Sequence, residues 1–414
     1  MKLTIARAEA RLVAQEKHWL LLYGRRKVGK TFLLRTLCKL EHYYVVKKDL
    51  EVISEKGVIS VAIMIEEVKK LLSENRTAVI DEFQRLDETV LEELTLIHPR
   101  GKLILSGSSL RIIKKIFEPR SPLLGFFTPL RIGFIAPSEM LVNKPLGAKA
   151  ELSAFLREPW TIPLYDHEDV LHFVYKLITQ SKFIITALVG EIFVEEERGL
   201  TKKYEALLSL IGAGTWNTKE LTSLLYSRRL IPDPSQNHLI PYLKNLEEME
   251  LVESIKLHKT KRNYYRLCSP LMNIYYYLES RYSISNRSIS LEEVKPTLQK
   301  LIHLEIQNFI ADLFAEVHGG RKEYYISPDK EVDFIITSRN KPLIIGEVKW
   351  KKISSGDLAA FERNAAQFPG RKVLVCREKG GAAAPGIEIF ESADLYRIAM
   401  DGGTSRPLVR DKRR

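Results

Sequence analysis

The chain is 414 residues long, and 45% of its residues are hydrophobic while 28% are charged. This length is enough for about two to four domains with buried cores. The composition excludes collagen-like, mucin-like and wholly disordered proteins. Lysine and arginine number 64 against 52 aspartates and glutamates, a formal net charge of +12. Such a basic surplus favours polyanionic partners, although a solvated basic surface is the simpler alternative.

Cysteine usage and hydropathy bear on the cellular compartment. The three cysteines, Cys38, Cys268 and Cys376, are far apart and have apolar neighbours. We therefore expect buried free thiols and neither a disulfide framework nor a zinc site. No run of about 18 uncharged apolar residues is present, and the N-terminus lacks the apolar stretch of a signal peptide. These patterns predict a cytoplasmic protein with no membrane contact.

The first third of the chain predicts a parallel sheet. Short apolar runs at 19–23, 78–80 and 103–105 alternate with helical patterns, as in a sheet covered on both faces. Residues 110–200 are predicted to be mostly helical, with breaks at prolines. The polar stretch 283–290 predicts a linker, and a second α/β pattern follows from residue 291.

A phosphate-binding loop is predicted at residues 24–31, GRRKVGKT, which match GxxxxGK[ST] between a strand and a helix. Gly24 and Gly29 allow the backbone N–H groups to face a phosphate. Lys30 would lie between the β- and γ-phosphates, and the Thr31 hydroxyl would ligate Mg²⁺. The other predicted ATP-binding residues of this loop are Arg25, Arg26, Lys27 and Val28.

Acidic and hydroxyl residues follow two further strands. Residues 76–84, RTAVIDEFQ, end an apolar strand in Asp81 and Glu82. Asp81 would hold Mg²⁺ through water, and Glu82 would act as the general base; the alternative is an acidic pair that caps the next helix. The strand KLILSGSS places Ser106 and Ser108 at the edge where parallel sheets bind ligands. Ser106 is the candidate sensor of the γ-phosphate, with a plain serine-glycine turn as the alternative.

In this order and spacing, GRRKVGKT, VIDEFQ and LILSGSS resemble the archaeal-type AAA ATPases, P-loop proteins close to the STAND switch ATPases. The resemblance implies ATP and Mg²⁺ as cofactors. Relatives usually carry an arginine after a Pro-Leu-aromatic-Gly stretch, whereas this chain has Phe126 there. Arg120 and Arg131 are the nearby substitutes for an arginine that contacts phosphate.

Residues 201–282 predict a winged helix-turn-helix. Helices are expected at 204–213, from Thr218 as N-cap, and at 236–251, followed by two short strands. This resembles the middle domain of the same family, which implies that the wing contacts DNA phosphates. An alternative is a winged helix that only packs against other domains. The predicted DNA-binding residues of the wing are Lys256, Lys259, Lys261 and Arg262.

Two strands near the C-terminus carry a carboxylate-lysine pattern. Asp333 begins one strand, and Glu347 and Lys349 share a face of the next. With a three- or five-residue loop, Asp333 would lie opposite Glu347, and the two carboxylates could hold Mg²⁺ or Mn²⁺ as catalytic ligands beside Lys349. The pattern, after a helix that bears Glu305, resembles the PD-(D/E)XK nuclease fold, in which Asp333 is preferred to Asp329. Alternatives are a degenerate fold that only binds, and Lys349 as a simple salt-bridge partner.

The expected architecture is α/β: a P-loop NTPase core with an AAA-like parallel sheet at 1–135, a helical lid at 136–200, the winged helix at 201–282, a nuclease-like domain at 283–400 and a basic tail at 401–414. The function expected first is an ATPase that couples nucleotide state to DNA binding and carries a metal-dependent nuclease-like domain. A nucleotide-regulated DNA-binding switch without cleavage is the alternative. A helicase is a weaker third reading, since one P-loop core would need a ring of subunits, and homo-oligomerisation stays open.

Overall fold

The computed structural model describes residues 3–96, 101–108, 110–119, 121–143, 149–196 and 198–403. Contacts group these residues into two compact units. The N-terminal unit holds residues 6–135 and 188–199, and the C-terminal unit holds the described residues of 1–5, 136–187 and 200–414. Arg120 and most of the predicted basic tail, residues 404–414, lie outside the described residues.

The N-terminal unit is built around a seven-stranded sheet in the order β4-β3-β2-β5-β6-β1-β7. Strands β2, β5, β6, β1 and β7 run parallel, and β3 and β4 form an antiparallel edge. Its elements are α1 Ala8–Gln15, β1 Trp19–Tyr23, α2 Lys30–Phe32 with a π-helical turn at Leu33–Leu37, β2 His42–Val46, β3 Glu51–Ser54, β4 Gly57–Ser60, α3 Val61–Ser73, β5 Thr77–Asp81, a 3₁₀ turn at Phe83–Arg85, α4 Glu88–Thr95, β6 Lys102–Gly107, α5 Leu110–Ile116 and β7 Phe127–Arg131.

Both faces of this sheet are covered, as predicted. Leu21 of β1 packs in one hydrophobic cluster, while its neighbours Leu20 and Leu22 pack in another. The segment from residue 110 to 200 is mostly helical, as predicted, but it also contains strand β7, which was not predicted. This strand lies at the sheet edge beside β1, where Pro129 is tolerated because an edge strand can leave one side of its backbone unpaired.

The C-terminal unit contains a second seven-stranded sheet in the order β14-β13-β12-β11-β10-β8-β9. Its helices are α6 Pro137–Leu141, α7 Ala150–Leu156, α8 Val170–Gln180, α10 Lys202–Gly212, α11 Thr218–Ser227, α12 Ile240–Glu248, α13 Pro270–Tyr282, α14 Leu291–Val317, α15 Ser355–Ala365 and α16 Ser392–Gly403, with 3₁₀ turns at Pro159–Leu164 and Gln236–His238. Its strands are β8 Val252–Leu257, β9 Asn263–Leu267, β10 Arg321–Ile326, β11 Glu331–Ser338, β12 Lys341–Lys352, β13 Arg371–Glu378 and β14 Ile387–Glu391. Helix α9, Lys182–Glu195, contributes residues to both units.

The predicted wing and the predicted nuclease-like strands belong to one sheet. Strands β8 and β9 form an antiparallel hairpin, and β8 also pairs in parallel with β10 through Lys256 opposite Glu323. Strands β10, β11 and β12 are antiparallel, and β12, β13 and β14 are parallel. Backbone hydrogen bonds therefore join segments on either side of the domain boundary predicted at residue 283.

The helices of the predicted winged helix differ from expectation in two details. Helix α11 begins at Thr218, but Asn217 is its N-cap, because the Asn217 side chain accepts a hydrogen bond from the N–H of Glu220. The predicted third helix is divided into a 3₁₀ turn and α12. Pro241 lies in the first turn of α12, where a proline, which lacks an N–H, costs no helical hydrogen bond.

Two further expectations are tested by burial and helix length. All three thiols are free, but only Cys376 is buried, whereas Cys38 and Cys268 are partly exposed. Within the described residues, no single helix is long and apolar enough to cross a membrane. Helices α8 and α9 pass that test only as a pair bent by 66°.

Candidate functional site: a nucleotide loop and a carboxylate cluster

The phosphate-binding loop lies between β1 and α2, where the chain passes close to neighbouring backbone. A Cβ at Gly24 would lie 1.9 Å from the carbonyl oxygen of Ile132, so only glycine fits there. Gly29 has φ of 90° and Lys27 has φ of 66°. This left-handed backbone favours glycine at Gly29. The Val28 side chain is buried, and its carbonyl accepts a hydrogen bond from Arg7. Both contacts hold the loop in place.

Lys30 lies inside the curl of the loop. Its ammonium group donates hydrogen bonds to the carbonyl oxygens of Gly24 at 2.7 Å and Arg25 at 3.1 Å, and the side chain is buried. Both of these partners are neutral carbonyl groups. A phosphate in the loop would therefore meet a positive charge placed on its inner side.

Strands β1, β5 and β6 lie next to one another and bring the predicted magnesium ligands together. The Thr31 hydroxyl donates a hydrogen bond to Oδ2 of Asp81 at 2.8 Å, and the Tyr43 hydroxyl donates to the same oxygen at 2.5 Å. Burial and the nearby Asp81 carboxylate raise the pKa of Tyr43 far above its usual range, so Tyr43 keeps its proton and stays a donor. Sequence reasoning missed Tyr43, because an aromatic residue in an apolar strand reads as core.

Glu82 follows β5 in a strained conformation. Its φ of 60° is left-handed, which is uncommon for a residue with a side chain and is found at functional turns. Its carboxylate accepts a hydrogen bond from Gln84 at 2.8 Å and pairs with Arg85 at 3.1 Å. Gln84 also donates to the hydroxyl of Ser108 at 3.2 Å, so the carboxylate is fixed in place.

Ser106 lies directly beside Asp81 in the register of β5 and β6. Its hydroxyl oxygen is buried and makes no hydrogen bond within the described residues. A buried hydroxyl without a partner is costly unless a ligand satisfies it. Its position and this free hydrogen-bonding capacity fit the predicted contact with a nucleotide phosphate or its water.

Two arginines of the loop have protein partners. The Arg25 guanidinium lies 4.6 Å from the ring centre of Phe134, and Arg25 is buried. Arg26 forms ion pairs with Glu195 at 2.6 Å and Glu191 at 2.8 Å. Burial alone would lower the pKa of Arg26, but the Glu195 and Glu191 carboxylates outweigh it and raise the pKa. In the geometry described, Arg26 is therefore directed towards α9.

The second candidate site lies on β11 and β12. Phe334 pairs with Gly346 in their antiparallel ladder, and continuing this register places Asp333 opposite Glu347, as predicted. The loop is shorter than expected: Arg339 and Asn340, both with left-handed φ, form a two-residue turn, and a bulge between Ile336 and Thr337 restores the register.

The carboxylates of this cluster repel each other. Oδ2 of Asp333 accepts the backbone N–H of Val348 at 2.7 Å, and Oε1 of Glu347 pairs with Lys349 at 2.5 Å. Burial and the charge of Glu347 raise the pKa of Asp333 to about 7. Burial likewise raises the pKa of Glu347. Oε2 of Glu347 is buried and makes no hydrogen bond within the described residues.

A cation would relieve this arrangement. Two close carboxylates and a free carboxylate oxygen are oxygen donors of the kind that Mg²⁺ prefers. No group of three or more histidine, cysteine, aspartate or glutamate side chains in the described ranges is arranged to hold a metal ion. Asp333 and Glu347 could thus hold a divalent cation only with water or a substrate oxygen completing its coordination.

Glu305 and Asp329 differ in their surroundings. Glu305, on α14, is buried and pairs with Arg266 at 2.5 Å. Its pKa is raised because burial outweighs the attraction of Arg266. Glu305 lines the same cavity as Asp333. Asp329 is exposed in the loop before β11, consistent with the preference for Asp333.

The four predicted DNA-binding residues of the wing are all exposed, but they differ in their partners. Lys256 lies 3.5 Å from the buried carboxylate of Glu323, and the Lys259 ammonium lies 4.8 Å from the ring centre of Phe368. Lys261 and Arg262 form no ion pair within the described residues. Those two residues at the turn of the hairpin are therefore the basic side chains most available to a partner.

The structure describes Phe126, which stands where relatives carry an arginine, and one of the two arginines suggested as substitutes, Arg131. Phe126 is 38% exposed, and its ring centre lies 6.1 Å from that of Trp19. Arg131 ends β7 next to Tyr23, the last residue of β1 before the loop. Of the two arginines suggested as substitutes, only Arg131 falls in the described ranges, and it is exposed.

Comparison with known proteins adds three observations. Residues 16–132 match the sequence profile of a family described as an AAA domain. No sequence among the curated proteins matches this chain. Solved structures that resemble it include a Walker-type ATPase of Pyrococcus abyssi, with 17% identity, a TM-score of 0.47, and coverage of 66% of this chain and 96% of that one.

Two proteins of Aeropyrum pernix are also similar. The ORC2 protein in its ADPNP-ADP complexes has 14% identity and a TM-score of 0.43, covering 75% of this chain and 96% of that one. The ORC1 protein in complex with DNA has 17% identity and a TM-score of 0.29, covering 69% and 96%. The profile match and the geometry of β1, β5 and β6 agree that residues 16–132 are similar to an AAA domain and contain a P-loop.

Proposed function

We propose that this protein binds and hydrolyses ATP, couples its nucleotide state to DNA binding, and carries a metal-dependent nuclease-like site. The observation that carries the ATPase proposal is the hydrogen bond of 2.8 Å between Thr31 and Asp81 beside the buried Lys30. P-loop ATPases use these residue types to bind Mg²⁺ and phosphates. Glu82 would orient the attacking water, and Ser106 would contact the γ-phosphate.

Support for the nuclease-like site comes from Asp333, Glu347 and Lys349. A cation held by the two carboxylates would activate a water, and Lys349 would stabilise negative charge on a scissile phosphate. The basic wing residues, foremost Lys261 and Arg262, would contact the DNA backbone.

A second function is favoured by one feature of the same cluster. Lys349 pairs with Oε1 of Glu347 at 2.5 Å, and Oδ2 of Asp333 accepts a hydrogen bond from the backbone N–H of Val348, so one oxygen of each carboxylate already has a protein partner. A degenerate site that binds without cleavage would show such pairing. In that case the protein is a nucleotide-regulated DNA-binding switch.

One experiment separates the two. Linear duplex DNA is incubated with the full chain and Mg²⁺ or Mn²⁺, with and without ATP, beside the Asp333→Ala variant. Metal-dependent cleavage that Asp333→Ala loses, while ATP hydrolysis continues, supports the nuclease. DNA binding that responds to ATP without any cleavage supports the switch. Gel filtration with ATP and Mg²⁺ in the same samples tests homo-oligomerisation, which a helicase reading requires.

A further inference from the structure

A cavity of about 130 Å³ opens next to the carboxylate cluster. Its walls come from the end of α10, from β9, β10 and β11, and from α13 and α14. Asp333 and its neighbour Glu331 lie at its β11 wall. A ligand in the cavity would therefore lie beside the group proposed to hold a metal ion.

Aromatic rings form much of the lining. Tyr264, Tyr265, Tyr277 and Tyr324 all line the cavity. Tyr264 stacks on Trp216 with ring centres 5.3 Å apart and planes inclined by 14°, and it makes a T-shaped contact with Tyr324, with ring centres 5.2 Å apart. These contacts hold the rings of the β9 and β10 wall in place, as a pre-formed site for a planar group requires.

The charges of the lining exclude phosphate. Glu305, Glu331 and Asp333 are acidic, and Arg266 is the basic residue of the lining. Arg266 is paired with both Glu305 at 2.5 Å and Glu253 at 2.8 Å, so no positive charge is left for an anion. An uncharged ligand is therefore favoured inside the cavity.

Polar groups without partners remain on the helical wall. Neither the Tyr277 hydroxyl nor the Gln307 amide makes a side-chain hydrogen bond within the described residues, although both line the cavity. By contrast Asn308 accepts the Tyr324 hydroxyl, and Asn273 bonds to the backbone of Leu267. A hydroxyl and an amide can read the hydrogen-bonding edge of a base.

We propose that this cavity receives one unpaired nucleobase, so that the strand bearing it passes over Asp333, Glu347 and Lys349. The inference rests on the proposed nuclease-like function and names its substrate class, which is single-stranded or locally unpaired nucleic acid. The base stacks on the tyrosines, while the phosphates of the strand stay outside the cavity at the carboxylate cluster, because the acidic lining repels them.

The test measures binding and cleavage separately with the full chain. Binding is titrated by fluorescence anisotropy in Ca²⁺, which is used to limit cleavage. The probes are a 5′-fluorescein-labelled 20-nucleotide single strand, the same strand carrying one abasic site at each successive position, and the matching duplex. We expect the single strand to bind better than the duplex, and one abasic position to weaken binding. Tyr277→Ala should weaken single-strand binding about tenfold, and Gln307→Leu by a smaller factor.

Controls separate the outcomes. Tyr396→Phe, on α16 and outside the cavity lining, should leave binding unchanged, and ATP hydrolysis reports on the N-terminal unit. If wild type cleaves DNA but Tyr277→Ala and Gln307→Leu leave strand preference unchanged, the base pocket is overturned while the nuclease stands. If nothing is cleaved yet abasic substitution and Tyr277→Ala weaken binding, the pocket stands and the nuclease fails. Equal affinity of wild type for intact and abasic strands overturns the pocket.

Discussion

Tyr43 and Thr31 donate hydrogen bonds to the same carboxylate oxygen of Asp81, at 2.5 and 2.8 Å. Tyr43 lies on β2, the strand next to β5, so the contact crosses from one strand to the other. If Thr31 and Asp81 hold Mg²⁺ as proposed, the Thr31 hydroxyl would turn from Asp81 to the metal. Tyr43 can keep its bond during that change, and it thereby holds the carboxylate in position.

Tyr43→Phe should therefore weaken the response to Mg²⁺ more than the affinity for nucleotide. Loss of a hydrogen bond to a carboxylate typically costs about 1.5–3 kcal/mol, so the Mg²⁺ concentration at half-maximal ATP hydrolysis should rise about tenfold. Metal-free ATP binding should change little. Tyr44→Phe is the matched control, because Tyr44 bonds Glu67 instead. An unchanged Mg²⁺ midpoint in Tyr43→Phe would show that Tyr43 only packs.

Lys30→Ala removes the charge that lies inside the phosphate loop. The variant should lose most ATP binding in equilibrium titration, because the loop carbonyls of Gly24 and Arg25 cannot compensate phosphate charge. Normal ATP binding and turnover in this variant would contradict the assignment of the nucleotide site. Thermal unfolding of the metal-free and nucleotide-free variant checks that the fold survives.

Glu82→Gln should separate binding from hydrolysis. The amide keeps the shape of the side chain and can still contact Gln84 and Arg85, which hold Glu82 now. It cannot accept a proton from water, so turnover should fall by about 10²-fold or more while ATP affinity stays near that of wild type. Phosphate release under single-turnover conditions measures the step directly. Turnover within twofold of wild type would assign the base to another residue.

The nucleotide site was predictable because its motif is local. Residues 24–31 form one continuous loop, and the structure places Lys30, Thr31, Asp81 and Ser106 together as the strand order requires. The register of Asp333 and Glu347 was predictable for a similar reason, since hairpin pairing links residues near in sequence. The length of the turn was not predictable, because a bulge in the hairpin lets a two-residue turn give the same register that a three- or five-residue loop would give without a bulge.

Long-range contacts were not predictable. Nothing in the sequence near Lys256 indicates that β8 pairs with β10, which begins only at Arg321, and this pairing joins the predicted wing to the second sheet. Tyr43 and Pro129 show the same limit. Tyr43 lies in an apolar sequence pattern but bonds Asp81. Pro129 lies in a segment predicted to be mostly helical but belongs to an edge strand.

The basic residues of the predicted wing should differ in how much each contributes to the salt dependence of DNA binding. Lys261→Ala combined with Arg262→Ala should lower the slope of log affinity against log salt by up to about 1.8, because each lost phosphate contact removes about 0.9. Lys256→Ala should change the slope less, since Lys256 already lies 3.5 Å from Glu323. Duplex binding between about 50 and 200 mM salt measures both. Equal slopes in wild type and the double variant would show that the wing does not contact DNA phosphates and only packs against the rest of the chain.

The carboxylate cluster predicts an unusual pH dependence of stability. Asp333 has a pKa near 7 in the folded chain, raised from 3.8, so the folded state binds more protons than the unfolded state between about pH 4 and 7. Its contribution to the free energy of unfolding therefore falls as pH rises through that range and is lowest above pH 7. Glu347 acts in the same direction, because its pKa is also raised.

Asp333→Asn should remove much of this dependence. The variant should unfold at a higher temperature than wild type at pH 8, and the difference should shrink as the pH falls below about 3, where Asp333 is mostly protonated in both the folded and the unfolded state. Asp329→Asn, at an exposed loop position, is the control and should follow wild type. If the pair holds Mg²⁺ as proposed, the metal would bind its deprotonated form, so Mg²⁺ should raise the melting temperature of wild type more at pH 8 than at pH 5, and that of Asp333→Asn little at either. A wild-type melting temperature that Mg²⁺ leaves unchanged at pH 8 would show that the two carboxylates hold no metal.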